Sequence, residues 1–436
     1  MKKLKSKVQA LKNSKLFNDS FWAVMGNGMG NALLLVAGII IARLLGKDIY
    51  GEYGIVKTTM FHIAAFSTFG LGYSSTKFIA QYLSENQLYI RSIAKAALRI
   101  TIVSSISLCL LLMIFADPLA RFVDSPQLAT PFRFLGIIIV TRAFSTTASG
   151  IVSGFKDFKR QGRNNVIAGT VMIVFSPLLT YFWGLKGSLM ALFLSQLTLS
   201  CLNLLLVRSL LNKYEEVNQS FVRPLLVFSA PVALQELTYA LSYWLGPMLL
   251  AKYASFGEVG LYTAAAQWNA IILFIPGLLS SVVLSYLSSA IDNTLHKRIM
   301  NKVLVINFIC AVIPFLIVMA FSGLIVKMYG ESFTGLRPVL NVLIFSTVFS
   351  VVARVFQNEF ISRGKNWLMF SIRAGRDLLM IVLLFFVLRS IGDGSAALYF
   401  SIIVVVINVA YLLVLSLFYL LGNKKRGSIS NQKQLV

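Results

Sequence analysis

Long apolar stretches alternate with short polar connections along the whole chain. Each of the apolar stretches is 20 residues or longer, which is the length that a helix needs to cross the hydrocarbon core of a bilayer. They are predicted at residues 20–43, 50–73, 93–116, 128–151, 164–184, 187–207, 224–251, 259–289, 303–328, 337–361, 367–389 and 395–421. The pattern predicts an all-α polytopic membrane protein with about twelve transmembrane helices.

Composition supports this interpretation and limits what lies between the helices. Only 13% of the residues are charged, whereas a soluble domain carries about 25%. Twelve spans in 436 residues leave only short loops, so we expect neither a soluble catalytic domain nor an enzyme. The three cysteines lie far apart in apolar segments and there are only two histidines, so no metal site and no cofactor are predicted.

The formal charge of +24 is distributed unevenly along the chain. Basic residues concentrate in alternate loops, such as the run GFKDFKRQGR at 154–163 and the two terminal segments. By the positive-inside rule these loops face the cytoplasm and its anionic leaflet. We therefore predict a multi-pass protein of the cytoplasmic (inner) membrane with both termini in the cytoplasm, and no nucleic-acid partner.

Two short segments of the chain repeat each other. ARLLGKDIYGEYG at 42–54 and AKYASFGEVGLYT at 251–263 align at an offset of 209 residues, which pairs Gly51 with Gly260. Each segment connects the first and second spans of its half. The sequence therefore predicts an N-lobe of six helices at 1–212 and a C-lobe of six at 213–436, in parallel orientation and with the substrate between them.

Three stretches resemble the polysaccharide and oligosaccharide flippases, relatives of the multidrug-and-toxin extruders and the peptidoglycan-precursor flippase. They are RLLGKDIYGEYG with the following FGLGYSSTKFIAQYL, then GFKDFKRQGRNN, and FGEVGLYTAAAQWN. The resemblance implies a fold like that of the multidrug-and-toxin extruders (MATE-like), with alternating access. It implies that the substrate is a polyprenyl-pyrophosphate-linked oligosaccharide, moved from the cytoplasmic to the outer leaflet. Membrane lipids are further expected partners, while a polysaccharide polymerase and glycosyltransferases stay open as partners.

One departure from the family concerns ion coupling. Many relatives carry an aspartate in span seven, where this chain reads SYWLGPMLLAKY at 242–253. A coupling role for that aspartate therefore cannot be transferred. Glu236, close to the helix-bending Pro231, and Asp377 in span eleven are the alternative coupling candidates for H⁺ or Na⁺, and a drive by the membrane potential alone is equally open.

Arg142 is the foremost candidate for binding the substrate. It lies well inside span four, with Ser145 and Thr146 close by in sequence. A charged side chain at membrane depth costs several kcal/mol, roughly 2.5–3.5 on insertion scales, unless it faces protein or water. The fork of donors on a guanidinium suits phosphate oxygens. The alternative is a structural bond from Arg142 to backbone carbonyls of another helix.

Four further residues are candidates for lining the cavity. Lys57 and His62 lie on span two, about 140° apart around the helix, so they line one broad face only if the cavity is wide. Lys57 could instead extend to the interface, and His62 could be a neutral core residue. Arg354 in span ten either binds substrate or neutralises Glu359. Arg376 in span eleven is expected to be the surplus cation if Arg373 pairs with Asp377.

Two other functions compete with the flippase. A multidrug or cation antiporter on the same fold would require carboxylates inside the membrane, whereas most of the charges within the spans are basic. A membrane-embedded transferase would require a catalytic carboxylate or histidine, which the short basic loops do not offer. The sequence therefore favours the flippase, with the antiporter as the alternative.

Overall fold

The chain is built from α-helices. The computed structural model describes residues 15–215, 217, 219–289, 293–391 and 394–433. Among these residues, the side chains are described everywhere except at 15–23, 231–232, 235–236, 278–297, 366 and 422–433. In these residues we find α-helices and three short 3₁₀ turns, and no β-strand. The helices are α1 Lys15–Thr68, α2 Leu71–Glu85, α3 Ile90–Phe122, α4 Ala129–Gly154, α5 Phe158–Leu211, α6 Val222–Tyr253, α7 Phe256–Ser289, α8 Asn293–Ala320, α9 Ser322–Tyr329, α10 Leu336–Ser362, α11 Asn366–Ser390 and α12 Ala396–Lys433.

Two of the helices contain a sharp backbone turn. The backbone leaves helical geometry at Gly46 (φ 72°, ψ 168°) in α1 and at Gly184 (φ 55°, ψ −131°) in α5. Positive φ is accessible to glycine at little cost. The chain reverses after Gly184. This is shown by Gly187, where a Cβ would lie 1.8 Å from the carbonyl oxygen of Leu179 on the preceding segment. Each of these helices therefore carries two predicted spans.

Among the described residues, eight helices are long and apolar enough to cross a membrane, and the two turned helices are among them. Each predicted span overlaps a described helix. The prediction of an all-α, polytopic membrane protein is confirmed, and it follows from the requirement that backbone polar groups in lipid be satisfied within the chain.

The described residues divide into two compact units, the first ending at Gly260 and the second beginning at Leu261. The first unit has a core in which α2 to α6 meet, with buried Ile79, Ile93, Ile151, Leu206 and Leu225. The second has a core formed by α10, α11 and α12, with Ala353, Phe360, Met369, Tyr411 and Leu415. The lobe boundary at residue 212 stays a prediction.

Candidate functional site

Polar contacts between α4 and its neighbours fix this helix within the first unit. Asn203 Nδ2 on α5 donates to Ser149 Oγ at 2.9 Å, and Thr76 Oγ1 on α2 donates to the carbonyl of Gly150 at 2.8 Å. A Cβ on Gly150 would lie 2.3 Å from the carbonyl oxygen of Gly72, so α2 and α4 are in backbone contact there. Small residues permit such approach in membrane helices.

Arg142 lies near the middle of α4 and is half-buried. Its Cζ atom is 4.8 Å from the centroid of the Phe61 ring on α1, and its Nη1 donates to Gln196 Oε1 on α5 at 3.4 Å. A guanidinium has five N–H donors, and within the described residues this single bond is the only hydrogen bond or ion pair of its side chain. The cation is thus held in place while most of its donors stay available.

The hydroxyl groups that follow Arg142 in sequence are turned to its backbone. Ser145 Oγ and Thr146 Oγ1 donate to the carbonyl of Arg142 at 3.0 and 2.9 Å. Their hydrogens are therefore committed within α4, and their oxygens keep acceptor capacity only. Within this segment of α4, the guanidinium is the group with donors available to an anion.

Successive residues of α1 face different neighbours. Phe61 packs over Arg142 of α4, while His62 lies 6.3 Å, between ring centroids, from both Tyr239 and Tyr243 of α6. This follows from the rotation of about 100° per residue in a helix. Lys57 Nζ lies 5.7 Å from the centroid of the Tyr53 ring on its own helix.

Polar contacts join α6 to the other helices of the first unit. Trp244 Nε1 donates to Thr59 Oγ1 on α1 at 3.0 Å, and the hydroxyls of Ser229 and Ser74 are 2.5 Å apart. Glu236, the first coupling candidate, lies on α6, but its side chain lies outside the described residues. Its predicted role therefore stays a prediction.

The second unit corrects one proposed pairing. Glu359 on α10 is fully buried and forms an ion pair with Arg363 at the end of the same helix. Arg354 is half-buried, and among the described residues it has no hydrogen-bond or ion-pair partner. A Cβ on Gly277 of α7 would lie 3.4 Å from its Nη1. The interpretation of Arg354 as the cation that neutralises Glu359 is therefore wrong, and its candidacy as a ligand is strengthened.

A second carboxylate in this unit has one more arginine partner than expected. Asp377 on α11 is 2% exposed, and Arg376 Nε donates to its Oδ1 at 2.8 Å. Arg376 also lies over the Tyr411 ring of α12, with its Cζ 4.7 Å from the centroid. Arg373 also interacts electrostatically with Asp377. Two arginines therefore share this carboxylate, and Arg376 is its hydrogen-bonded partner, where an unpaired cation was expected. Within the described ranges, no three His, Cys, Asp or Glu side chains cluster as a metal site would require.

The two repeated segments touch each other inside the first unit. A Cβ on Gly51 would lie 1.8 Å from the carbonyl oxygen of Phe256, and a Cβ on Gly260 would lie 2.0 Å from that of Lys47. At the offset of 209, Gly51 corresponds to Gly260 and Lys47 to Phe256, so the contact is reciprocal, as across a two-fold axis. The alignment of the glycines was visible in the sequence, and their contact was not.

The fold places this chain among polytopic membrane proteins whose solved structures include members of the MOP superfamily. An inward-facing multidrug-resistance MATE transporter of that superfamily superposes with a TM-score of 0.77 at 16% identity, covering 91% of this chain and 97% of the other. The lipid II flippase MurJ, in an inward closed conformation, gives a TM-score of 0.70 at 15% identity, covering 90% and 86%. At these identities the two structures show the fold alone, and they confirm the predicted MATE-like architecture.

The chain belongs to the polysaccharide biosynthesis protein family, whose sequence signature matches residues 16–291. A Shigella flexneri protein whose name assigns it to O-antigen transport is 21% identical over 401 residues, which are 89% of this chain and 95% of that relative. The predicted resemblance to the polysaccharide flippases is confirmed. The relatives are transporters and flippases, not enzymes.

Proposed function

We propose that this protein is a flippase that moves a polyprenyl-pyrophosphate-linked oligosaccharide from the cytoplasmic to the outer leaflet by alternating access, for the synthesis of a cell-surface polysaccharide. The observation that carries the proposal is the Arg142 side chain. It is a cation in the middle of a membrane-spanning helix, held by Phe61 and Gln196, and no described carboxylate neutralises it. An anionic substrate would supply the missing counter-charge.

The chemistry of the guanidinium matches a pyrophosphate. Its planar fork can donate two parallel hydrogen bonds to phosphate oxygens, which a lysine cannot reproduce. The Phe61 ring restricts the guanidinium plane, so less entropy is lost when the phosphate binds. The neighbouring rings of Tyr239 and Tyr243, whose centroids are 4.3 Å apart, would offer apolar surface and a polar tip to the sugars.

The remaining candidates would act as follows. Lys57, His62, Arg354 and Arg376 would contact the pyrophosphate or the sugars, with Arg354 the best placed because no described group neutralises it. Glu236 and Asp377 are the candidates for coupling to H⁺ or Na⁺. The protein would lie in the cytoplasmic membrane with both termini inside, and a polymerase and glycosyltransferases would be its partners in polymer assembly.

The membrane potential can supply the driving force. Two negative charges that move outward across an inside-negative potential of 100 mV gain roughly 4.6 kcal/mol, from about 2.3 kcal/mol per charge. The return of an empty cationic cavity is favoured by the same field. Ion antiport is therefore compatible with the proposal and is not required by it.

The cation antiporter is the weaker candidate. Glu359 and Asp377, the buried carboxylates on α10 and α11, are each bound to an arginine. A cationic drug would have to displace that arginine and leave a charge without its partner in the membrane, at a cost of several kcal/mol.

The proposal is tested by flipping of a polyprenyl-pyrophosphate oligosaccharide in proteoliposomes, with Arg142→Gln and Arg142→Lys as the variants. We expect Arg142→Gln to abolish flipping and Arg142→Lys to recover a part of it, since lysine keeps the charge and loses the fork. Arg133→Gln is the matched control, because Arg133 lies on the same helix and binds Asp117 in a half-exposed pair. Equal flipping by Arg142→Gln and Arg133→Gln would refute the role of Arg142.

A further inference from the structure

The first unit carries two adjoining apolar grooves whose linings contain none of the residues assigned to the transport site. The larger groove, of about 570 Å³, runs between the end of α1, the helix α3 and the start of α6. The smaller groove, of about 220 Å³, lies between α1 and α6. Phe66 and Phe69 line both grooves and so form the ridge that separates them. Arg142 lines neither of them.

The backbone holds one of the ridge residues in an unfavourable conformation. Phe69 has a φ of 44°, in the left-handed region that costs a residue with a side chain about 1–2 kcal/mol. This is the point at which α1 ends and α2 begins. The Phe69 side chain is 46% exposed between the two grooves, so the strain keeps a large aromatic ring at a surface that an apolar ligand could cover.

The larger groove has a single charged residue in its lining, Arg99. Arg99 lies on α3, is exposed, and among the described residues has no hydrogen-bond or ion-pair partner. Extension of the Arg99 side chain to the membrane interface explains a cation on a membrane-spanning helix. It does not explain the apolar groove that begins beside this cation. The combination suits a ligand with an anionic head and an apolar chain.

The length of the groove distinguishes between ligands of this kind. Along α3 its lining extends from Arg99 to Leu111, which is about 18 Å at 1.5 Å per residue. One leaflet of the hydrocarbon core is about 15 Å deep, half of about 30 Å. The groove therefore matches the acyl chain of a phospholipid, whereas a polyprenyl chain is far longer.

We propose that an anionic phospholipid of the cytoplasmic leaflet binds in these grooves. Its phosphate contacts Arg99, one acyl chain follows α3 in the larger groove, and the second chain crosses the Phe66–Phe69 ridge into the smaller groove. The site is separate from the transport site, so the lipid is a bound component of the protein and not its cargo.

Native mass spectrometry of the purified full-length chain tests the charge requirement. Phosphatidylglycerol and phosphatidylethanolamine with identical acyl chains are added in equal amounts, and the retained lipid is counted. We expect one phosphatidylglycerol to be retained with about tenfold preference, and Arg99→Gln to remove that preference. Arg208→Gln is the control, because Arg208 is exposed near the end of α5, outside the groove lining, and we expect it to behave as the wild type.

A second pair of variants tests the groove itself. Val103→Trp should fill the larger groove and abolish retention of the lipid. Ile114→Trp is its control, because Ile114 lies on the same helix, has the same 68% exposure and is absent from the lining. Gel filtration and the thermal midpoint check that each variant is folded.

Four results would overturn the proposal. The first is equal retention of both lipids by the wild type, and the second is equal lipid preference of Arg99→Gln and Arg208→Gln. The third is equal retention of lipid by Val103→Trp and Ile114→Trp. The fourth is full displacement of the bound lipid by glycerol phosphate, which has no acyl chain. Displacement of phosphatidylglycerol by polyprenyl phosphate at equal concentration would assign the groove to the substrate carrier and would also contradict it. None of these readouts depends on flipping, so failure of the transport proposal would leave them unaffected.

Discussion

The reciprocal contact between the repeated segments predicts a large effect for a very small change, Gly51→Ala. A methyl group there would lie 1.8 Å from the Phe256 carbonyl oxygen, whereas ordinary contact begins near 3.4 Å, so the two backbones must move apart by about 1.6 Å. Overpacking of this kind costs about 1–3 kcal/mol, and the upper end applies because the obstructing atom belongs to the backbone. Replacement of a helical glycine by alanine returns about 0.5–1 kcal/mol. We expect a net loss of about 2 kcal/mol in the free energy of unfolding.

The thermal midpoint of the protein in detergent measures this loss. It is obtained from the fraction of protein that stays monodisperse as the temperature rises. Gly375→Ala is the control, because nothing lies within 4 Å of a Cβ at that position of α11, so it should be neutral or slightly stabilising. In the double variant Gly51→Ala/Gly260→Ala the second substitution should cost less than it does alone, since the backbones have already separated. A Gly51→Ala midpoint equal to that of Gly375→Ala would refute the close contact.

Three further predictions concern charged and polar contacts. Asp377→Asn should destabilise the protein by about 3–5 kcal/mol because it leaves Arg376 without its counter-charge, and the thermal midpoint of Asp377→Asn combined with Arg376→Gln should recover a large part of the loss. Thr59→Val should cost about 1 kcal/mol by removing the acceptor of the Trp244 indole, which denaturant or thermal unfolding would detect; an unchanged midpoint would contradict the hydrogen bond. Arg354→Gln should leave the free energy of unfolding within about 0.5 kcal/mol of the wild type while reducing flipping, and a large loss of stability would instead indicate a structural role.

The sequence was sufficient to predict the membrane fold. Spans of about 20 apolar residues have few alternatives to a helix in lipid, and the turns at Gly46 and Gly184 separate the spans that were predicted on either side of them. The offset of 209 residues between the repeats also predicted which glycines correspond. It did not predict that they touch, because a repeat in sequence does not say where its copies lie in space.

The charged pairs were harder to predict, for reasons of geometry. Arg373 was expected to pair with Asp377 because residues four apart lie on one face of a helix, whereas adjacent residues do not face each other. The long guanidinium of Arg376 also reaches back to the adjacent carboxylate, so both arginines act on Asp377. The contacts of Arg142 with Phe61 and Gln196 join residues that are distant in sequence, and no periodic pattern on one helix reveals such neighbours.

The central claim is that the protein moves an anionic lipid-linked sugar and not a cation. The most direct measurement compares the two in the same wild-type proteoliposomes, with and without an inside-negative potential, by following a polyprenyl-pyrophosphate oligosaccharide and a cationic dye in parallel. We predict outward movement of the oligosaccharide that the potential accelerates, and no transport of the dye. Extrusion of the dye without movement of the oligosaccharide would contradict the account.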